Sequence, residues 1–245
     1  MNVKSLVASG VVFAVAGSAL AGMSPVGSSG EPSVHQIVQQ VFGDVFSGSV
    51  GTSLTSTTLS SPVTLTRVDD FGLGGIMDGT GLTRGSADDQ VWSGGVVNAT
   101  VKARFAGYNQ RFGYFAGTDA GAPYVNLFNV GSSGYSVTGE AVNIDLGALA
   151  GNWRWGRSGD GSTFSSRASD NVDGLDHMIS FQITGLENGA ASTWLLCFED
   201  LRANQNPDWD YNDLVVEVSF SIPGPSTVGV MAGAGLLGVR RRRAR

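Results

Sequence analysis

Cysteine is nearly absent: the 245 residues hold one, Cys197, so no internal disulfide staples the chain. Its setting, TWLLCFEDL, reads as a buried strand, where a free cysteine behaves as a small hydrophobe. A reactive thiol would need a base beside it, and bases are scarce, with only two histidines, His35 and His177. Neither stands in a recognisable catalytic setting, and no G-x-S-x-G elbow, H-E-x-x-H, P-loop or dinucleotide fingerprint occurs. No catalytic residue is therefore assigned, and the chain is read as a non-enzyme. Cations are also few once the ends are set aside. Of 15 Lys and Arg, Lys4 and five arginines near the C-terminus lie outside the middle, which leaves 9 cations against 21 acids, net −12. Such a surface excludes nucleic acid and anionic lipid as natural partners and favours metal cations.

The two ends carry targeting signals. Lys4 precedes an apolar run from Leu6 to Ala16, and Ala19-Leu20-Ala21 supplies the small-x-small pattern cut by signal peptidase, so residues 1–21 read as a secretory signal. At the other end Pro223 and Pro225 break the chain, Val228 to Val239 is apolar, and Arg240, Arg241, Arg242, Arg243 and Arg245 form a basic stop. Arginines stay on the cytoplasmic side, so this tail would halt export in the inner membrane as a hydrophobic helix. The apolar stretch falls short of the roughly 20 residues of a comfortable span, which makes it a poor permanent anchor.

Between the ends the chain reads as strands. Glycine (36 residues) far outnumbers proline (7). One helix candidate, EPSVHQIVQQVFGDVF, places Val34, Ile37, Val38, Val41, Phe42 and Val45 at helical spacing, with Pro32 before the run and Gly43 near its end. The polar stretch SGSVGTSLTSTTLSSP follows and reads as a linker or a loosely ordered edge, so residues 22–62 are taken as helix plus linker. From Val63 onward alternating segments are broken by glycine. In DLVVEVSFSI, Leu214, Val216, Val218 and Phe220 face one way and Val215, Glu217 and Ser219 the other. Residues 63–222 are accordingly expected to form an all-β, antiparallel, jelly-roll-like β-sandwich.

The densest polar signal is FEDLRANQNPDWDYNDLVVEV. Asp208, Asp210 and Asn212 match the first, third and fifth positions of a calcium loop. An EF-hand would then need Gly and Glu where Asp213 and Ser219 stand, and a helix where a strand follows, so this is no EF-hand. Alternating oxygens in a tight turn still suit a hard cation, and a hairpin would bring Glu199 and Asp200 alongside. The plainer reading has these acids capping turns. Repulsion among six acidic or amide groups favours a calcium site made by Asp208, Asp210, Asn212 and Asp213, with Glu199 and Asp200 in support. Transition metals are disfavoured because His and Cys ligands are missing nearby.

Two family resemblances add to this. The C-terminal order of motif, apolar segment and arginine cluster (residues 223–245) resembles the PEP-CTERM sorting signal of bacterial exosortase substrates. The motif here is Pro223-Gly224-Pro225-Ser226, with glycine in place of the family's glutamate. Phe198-Glu199-Asp200-Leu201, an insert, then Asp208-x-Asp210-Tyr211-Asn212-Asp213-Leu214-Val215 resembles the DUF4114 domain over residues 105–222. These resemblances imply an exported surface or matrix protein handled by signal peptidase and an exosortase-like enzyme. They also imply a β-sandwich without established catalysis and with a calcium site.

Weaker signals keep alternatives open. GYNQRFGYFAG, with Tyr108 to Phe115, and NWRWGRSGDG, with Trp153 and Trp155, gather aromatics that could stack on sugars, as in a module binding exopolysaccharide. Trp153 and Trp155 equally suit a sandwich core. The paired acids Asp69-Asp70 and Asp88-Asp89 could serve glycoside hydrolysis if placed across a sugar, but solvated turn acids are the simpler reading.

Overall fold

The computed structural model describes residues 26–68, 77–78, 89–135, 141–146, 149, 151–159, 161–186, 190 and 192–221. The signal segment with Ala19 and Ala21, the tail with Pro223, Gly224, Pro225, Ser226, Arg240, Arg241, Arg242 and Arg243, and the acids Asp69, Asp70 and Asp88 lie outside them.

Helix α1 spans Val34–Phe42. Ser33 caps it through a capping box with Gln36, satisfying donors that the first turn leaves open. Gly43 ends it in the left-handed conformation at φ 66°, so Val45 falls beyond the helix and stands 57% exposed. The strands follow in chain order: β1 (Phe46–Ser49), β2 (Ser53–Ser56), β3 (Thr64–Val68), β4 (Met77–Asp78), β5 (Trp92–Ser93), β6 (Val96–Arg104), β7 (Gln110–Ala116) and β8 (Tyr124–Val130). After them come β9 (Gly134–Tyr135), β10 (Ala141–Asp145), β11 (Trp153–Gly159), β12 (Ser162–Ser165), β13 (Met178–Thr184), β14 (Ser192–Phe198) and β15 (Leu214–Ser221). The segment read as a possible linker contains β1 and β2, an antiparallel hairpin that extends the edge of a sheet.

Among the described residues the strands form two sheets, in the sandwich arrangement expected from the alternation. The larger runs β1-β2-β3-β13-β14-β15-β6-β10, with β9 also on β6; the smaller runs β4-β5-β11-β7-β8, with β12 on β11. Every pairing is antiparallel except β4 with β5.

Two cores lie on opposite faces of the larger sheet. Between the sheets, Trp194, Leu196, Phe198, Leu214, Val216, Val218 and Phe220 meet Trp92, Phe112, Trp153 and Trp155 of the smaller sheet. Tryptophan dominates this layer: Trp153 and Trp155 meet edge to face at 4.3 Å between centroids, and Trp92 meets Trp194 the same way at 5.3 Å. On the outer face, Val34, Ile37 and Val38 of α1 pack over Ile179, Phe181, Leu195, Cys197, Val215 and Tyr211. Strand β14 is buried along its whole length because its alternate residues feed both cores. Cys197 is thus a core residue, and burial holds its thiol well above the usual range.

The pairing of β15 with β6 contains a bulge. Val215 opposes Ala103 but Val216 opposes Val101, so β6 carries one extra residue there. Val97, Ala99 and Val101 face the inner core, while Ala103, two residues on, faces the outer one. The extra residue reverses the alternation and re-aims the strand end. Arg104 at that end donates to the carbonyls of Ala106, Tyr108 and Gly131, which folds residues 104–108 into a tight turn.

Replacing Trp194 by Ala is expected to cost about 3–5 kcal/mol, because a fully buried indole leaves a large cavity in the inner core. Urea unfolding followed by circular dichroism measures it; a loss under about 1 kcal/mol would contradict this packing.

Candidate functional site

Pairing of β14 with β15 sets Phe198 opposite Leu214, so the residues just past each strand end lie side by side. Glu199 and Asp200 leave β14 there, and Asp213 enters β15. The Asp200 N–H donates to an Asp213 carboxylate oxygen at 2.7 Å. The connecting loop brings back Asp208 and Asp210. Ligand oxygens of Glu199, Asp200 and Asp213 lie within 4.8 Å of one another, and so do those of Glu199, Asp208 and Asp210. All five carboxylates read from the sequence are therefore gathered at one end of the larger sheet.

The loop is held in an unusual shape. Asn206, Trp209 and Tyr211 have φ of 62°, 56° and 57°, left-handed conformations that cost about 1–3 kcal/mol each for such residues. Tyr211 is buried, and its hydroxyl donates to the Asp176 carbonyl at 3.1 Å. Trp209 packs against the outer core near His177. The aromatic residues thus anchor the turn while the acids between them bear on the site. A strap from the N-terminal side closes over it. Gly27 N–H donates to the Trp209 carbonyl at 2.7 Å, and a Cβ at Gly27 would meet the Asp208 carbonyl oxygen at 1.9 Å, so only glycine permits the approach. Ser29 Oγ donates to Asp210 at 2.5 Å, and the Asn212 amide donates to Asp210 at 2.7 Å and to the Pro32 carbonyl at 3.0 Å.

The charges are poorly compensated. Glu199, Asp200 and Asp210 are buried, Asp213 is half-buried and Asp208 is exposed. Among the described residues no lysine or arginine forms an ion pair with any of the five. Arg157, itself buried, donates to the Asp200 carbonyl, and Arg104 donates to other carbonyls; both feel the charge of Asp200 and Asp213 without forming an ion pair with them. Two full charges 4.8 Å apart repel by about 3.5 kcal/mol at an effective dielectric near 20. A hydrogen bond to a carboxylate returns only about 1.5–3 kcal/mol. Burial, reinforced by Asp200 and Glu199, accordingly pushes the Asp213 carboxyl up to about 9. Burial first and then Asp208 and Asp200 push Glu199 up to about 7. Asp200, Asp210 and Glu31 are raised as well, mainly by burial.

One atom stands out. Glu199 is 1% exposed; one carboxylate oxygen accepts from the Leu201 N–H at 3.1 Å, and the other, Oε2, has no hydrogen-bond partner. The side-chain oxygen of the equally buried Asn212 is also unpartnered. Buried oxygens of this kind are normally satisfied.

The site opens into a cleft of about 650 Å³ whose walls include Glu31, Tyr108, Glu199, Asp200, Asp208 and Asp213. Tyr108, 45% exposed, and Gly107 also line a second, polar cleft of about 670 Å³ with Gln110, Arg111 and Asn129. Of Tyr108, Trp153 and Trp155, the candidate sugar-stacking aromatics, Tyr108 alone has a free face. Trp153 and Trp155 are wholly buried in the inner core, so the expectation that they stack on sugars is corrected: no ring face reaches solvent. His177 is buried against Phe164 and bonded to Asp173, and His35 is bonded to the Phe46 carbonyl. Asp89, whose neighbour Asp88 lies outside the described residues, is buried beside the Trp92 indole. Reading the sequence did not find Glu31, Ser29, Gln110 or Arg157, since they come from distant segments that carry no local motif.

The family described as "Domain of unknown function (DUF4114)" matches residues 143–221, the segment that carries β11 to β15 and the acidic loop. Two solved structures align at low similarity: a Chromobacterium violaceum lectin in complex with alpha-methyl-fucoside (17% identity, TM-score 0.35) and a Ralstonia solanacearum high-affinity mannose-binding lectin (17%, 0.34). Each alignment covers 56% of this chain and 100% of the lectin. No curated protein matches the chain at a significant level.

The raised carboxyls fix the sign of a pH effect. A carboxyl whose folded value lies above its unfolded value of about 4 favours the fold when protonated, so that stability is full below about pH 4 and is lost as pH rises through the folded value. Glu199 and Asp213 are therefore expected to withdraw stability between about pH 4 and about pH 9. Melting temperatures in chelator across that range, with Asp213→Asn beside the parent, check it; a variant that gains nothing over the parent as pH rises would contradict the arrangement.

Proposed function

We propose that the chain is an exported, non-catalytic module of a bacterial surface or extracellular matrix, and that calcium closes the acidic hairpin of its β-sandwich. The observation that carries this reading is the buried, unpartnered Oε2 of Glu199, a residue whose carboxylate approaches those of Asp200, Asp213, Asp208 and Asp210 within 4.8 Å while none of the five forms an ion pair. The donor set consists of oxygens alone, which suits a hard cation. Calcium accepts about six to eight oxygens at roughly 2.3–2.6 Å in flexible geometry, whereas magnesium demands a near-ideal octahedron and keeps its water. The signal segment and the PEP-CTERM-like tail support export, signal-peptidase cleavage and handling by an exosortase-like enzyme, with a transient hold in the inner membrane. Extracellular calcium modules bind at about 10⁻⁴–10⁻³ M, so such a site would fill outside the cell and lock the loop to the sheet only there.

Calcium at about 100 times its Kd is expected to stabilise the protein by about 2.7 kcal/mol, seen as a rise in melting temperature that magnesium does not match. Asp210→Ala should abolish that rise; equal calcium stabilisation of the variant would remove Asp210 from the site.

A second reading, carbohydrate binding in the exopolysaccharide matrix, is supported by Tyr108 alone, half-exposed on the wall shared by the two clefts. A glycan array separates the two. Selective binding lost in Tyr108→Ala would favour the carbohydrate module, and no selective hit would favour a structural role.

A further inference from the structure

We propose that the acidic hairpin is a two-cation centre in which Glu199 bridges an inner calcium, held with Asp200 and Asp213, and an outer calcium, held with Asp208 and Asp210. This rests on the calcium reading above and adds its stoichiometry and the division of its ligands.

Oxygens around one calcium at roughly 2.3–2.6 Å are at most about 5 Å apart. The five carboxylates meet that limit only as two triads, Glu199-Asp200-Asp213 and Glu199-Asp208-Asp210, with Glu199 the sole shared member. Each triad fits one ion. The sharing residue is also the one with a buried, unused oxygen. Of the roughly four lone-pair positions on the Glu199 carboxylate, the Leu201 N–H occupies one on Oε1, and Oε2 is untouched by the protein. A bridging carboxylate needs that free capacity. The second unpartnered oxygen, on Asn212, belongs to the amide that donates to Asp210, which places it beside the outer triad.

Arg157 and Arg104 stand nearby and donate to carbonyls, and neither forms an ion pair with any of the five carboxylates. The triads differ in access: Asp213 and Asp200 sit at the paired strand ends, whereas Asp208 is exposed on the loop under the Gly27 strap. The inner ion would tie strand end to strand end, and the outer one would tie the loop to the sheet.

Equilibrium dialysis of the purified full-length chain against calcium, with native mass spectrometry to count ions, tests this. Two calcium ions per chain are expected. Asp213→Asn and Asp208→Asn should each lose one ion and keep the other, the double variant should lose both, and Glu199→Gln should weaken both at least about tenfold. Each substitution puts a neutral side chain of the same size where carboxyls crowd, so without calcium the variants should melt no lower than the parent, which controls for folding. A single ion per chain, lost alike in Asp208→Asn and Asp213→Asn, would overturn the two-cation centre and leave the calcium reading standing. No bound calcium would overturn both.

Discussion

Burial of β14 on both of its faces is the constraint on which the rest depends. Trp194, Leu196 and Phe198 enter one core and Leu195 and Cys197 the other, so a one-residue slip in pairing would exchange the two sets and unmake both layers. The register of β14 against β13 and β15 is thereby fixed by apolar packing along the whole strand. Where apolar residues end, that same register delivers Glu199 and Asp200 next to Asp213. The acids are brought together by the hydrophobic core beside them, and their mutual repulsion is carried as a local cost.

That cost is distributed around the loop. The left-handed residues Trp209 and Tyr211 are held because their rings pack into or against the outer core. The strap from Gly27 to Pro32 adds hydrogen bonds to Trp209, Asp210 and Asn212, which ties the segment just before α1 to the far end of the chain. The bulge in β6 contributes from a third direction by turning Arg104 into the loop that presents Tyr108. Three remote segments therefore converge on one cleft, each placed by packing and not by any affinity among the acids. A carboxylate cluster without an ion pair in so well-determined a frame suits a hard cation: its oxygens are preorganised and need not be gathered at the moment of binding.

Much of the architecture was legible in the residues. The period-two alternation of β15, the single capped helix and the glycine-broken strands predict an antiparallel sandwich, and the inward set Leu214, Val216, Val218 and Phe220 is the one found in the inner core. The acidic hairpin was legible for a related reason: its ligands are close in sequence and flank two adjacent strands. Trp153 and Trp155 show where such reading stops. A strand pattern places both on one face, but whether that face meets solvent or a second sheet depends on Trp92, Phe112 and Phe220, which belong to other strands. The polar stretch around β1 and β2 was ambiguous because edge strands bury little and leave weak alternation.

By itself the sequence determined what is local: the alternation of each strand, the caps of α1, the spacing of acids between 199 and 213, and the solitary cysteine. Tertiary structure alone decided which acids share a metal-sized space, that no arginine among the described residues forms an ion pair with them, that Glu199 keeps an unused oxygen, and that Tyr108 rather than the tryptophans faces a cleft. The reason is physical. Periodicity and turn chemistry act over a few residues and are written in order along the chain. Desolvation and charge proximity depend on which distant segments the cores press together, and that information resides in packing.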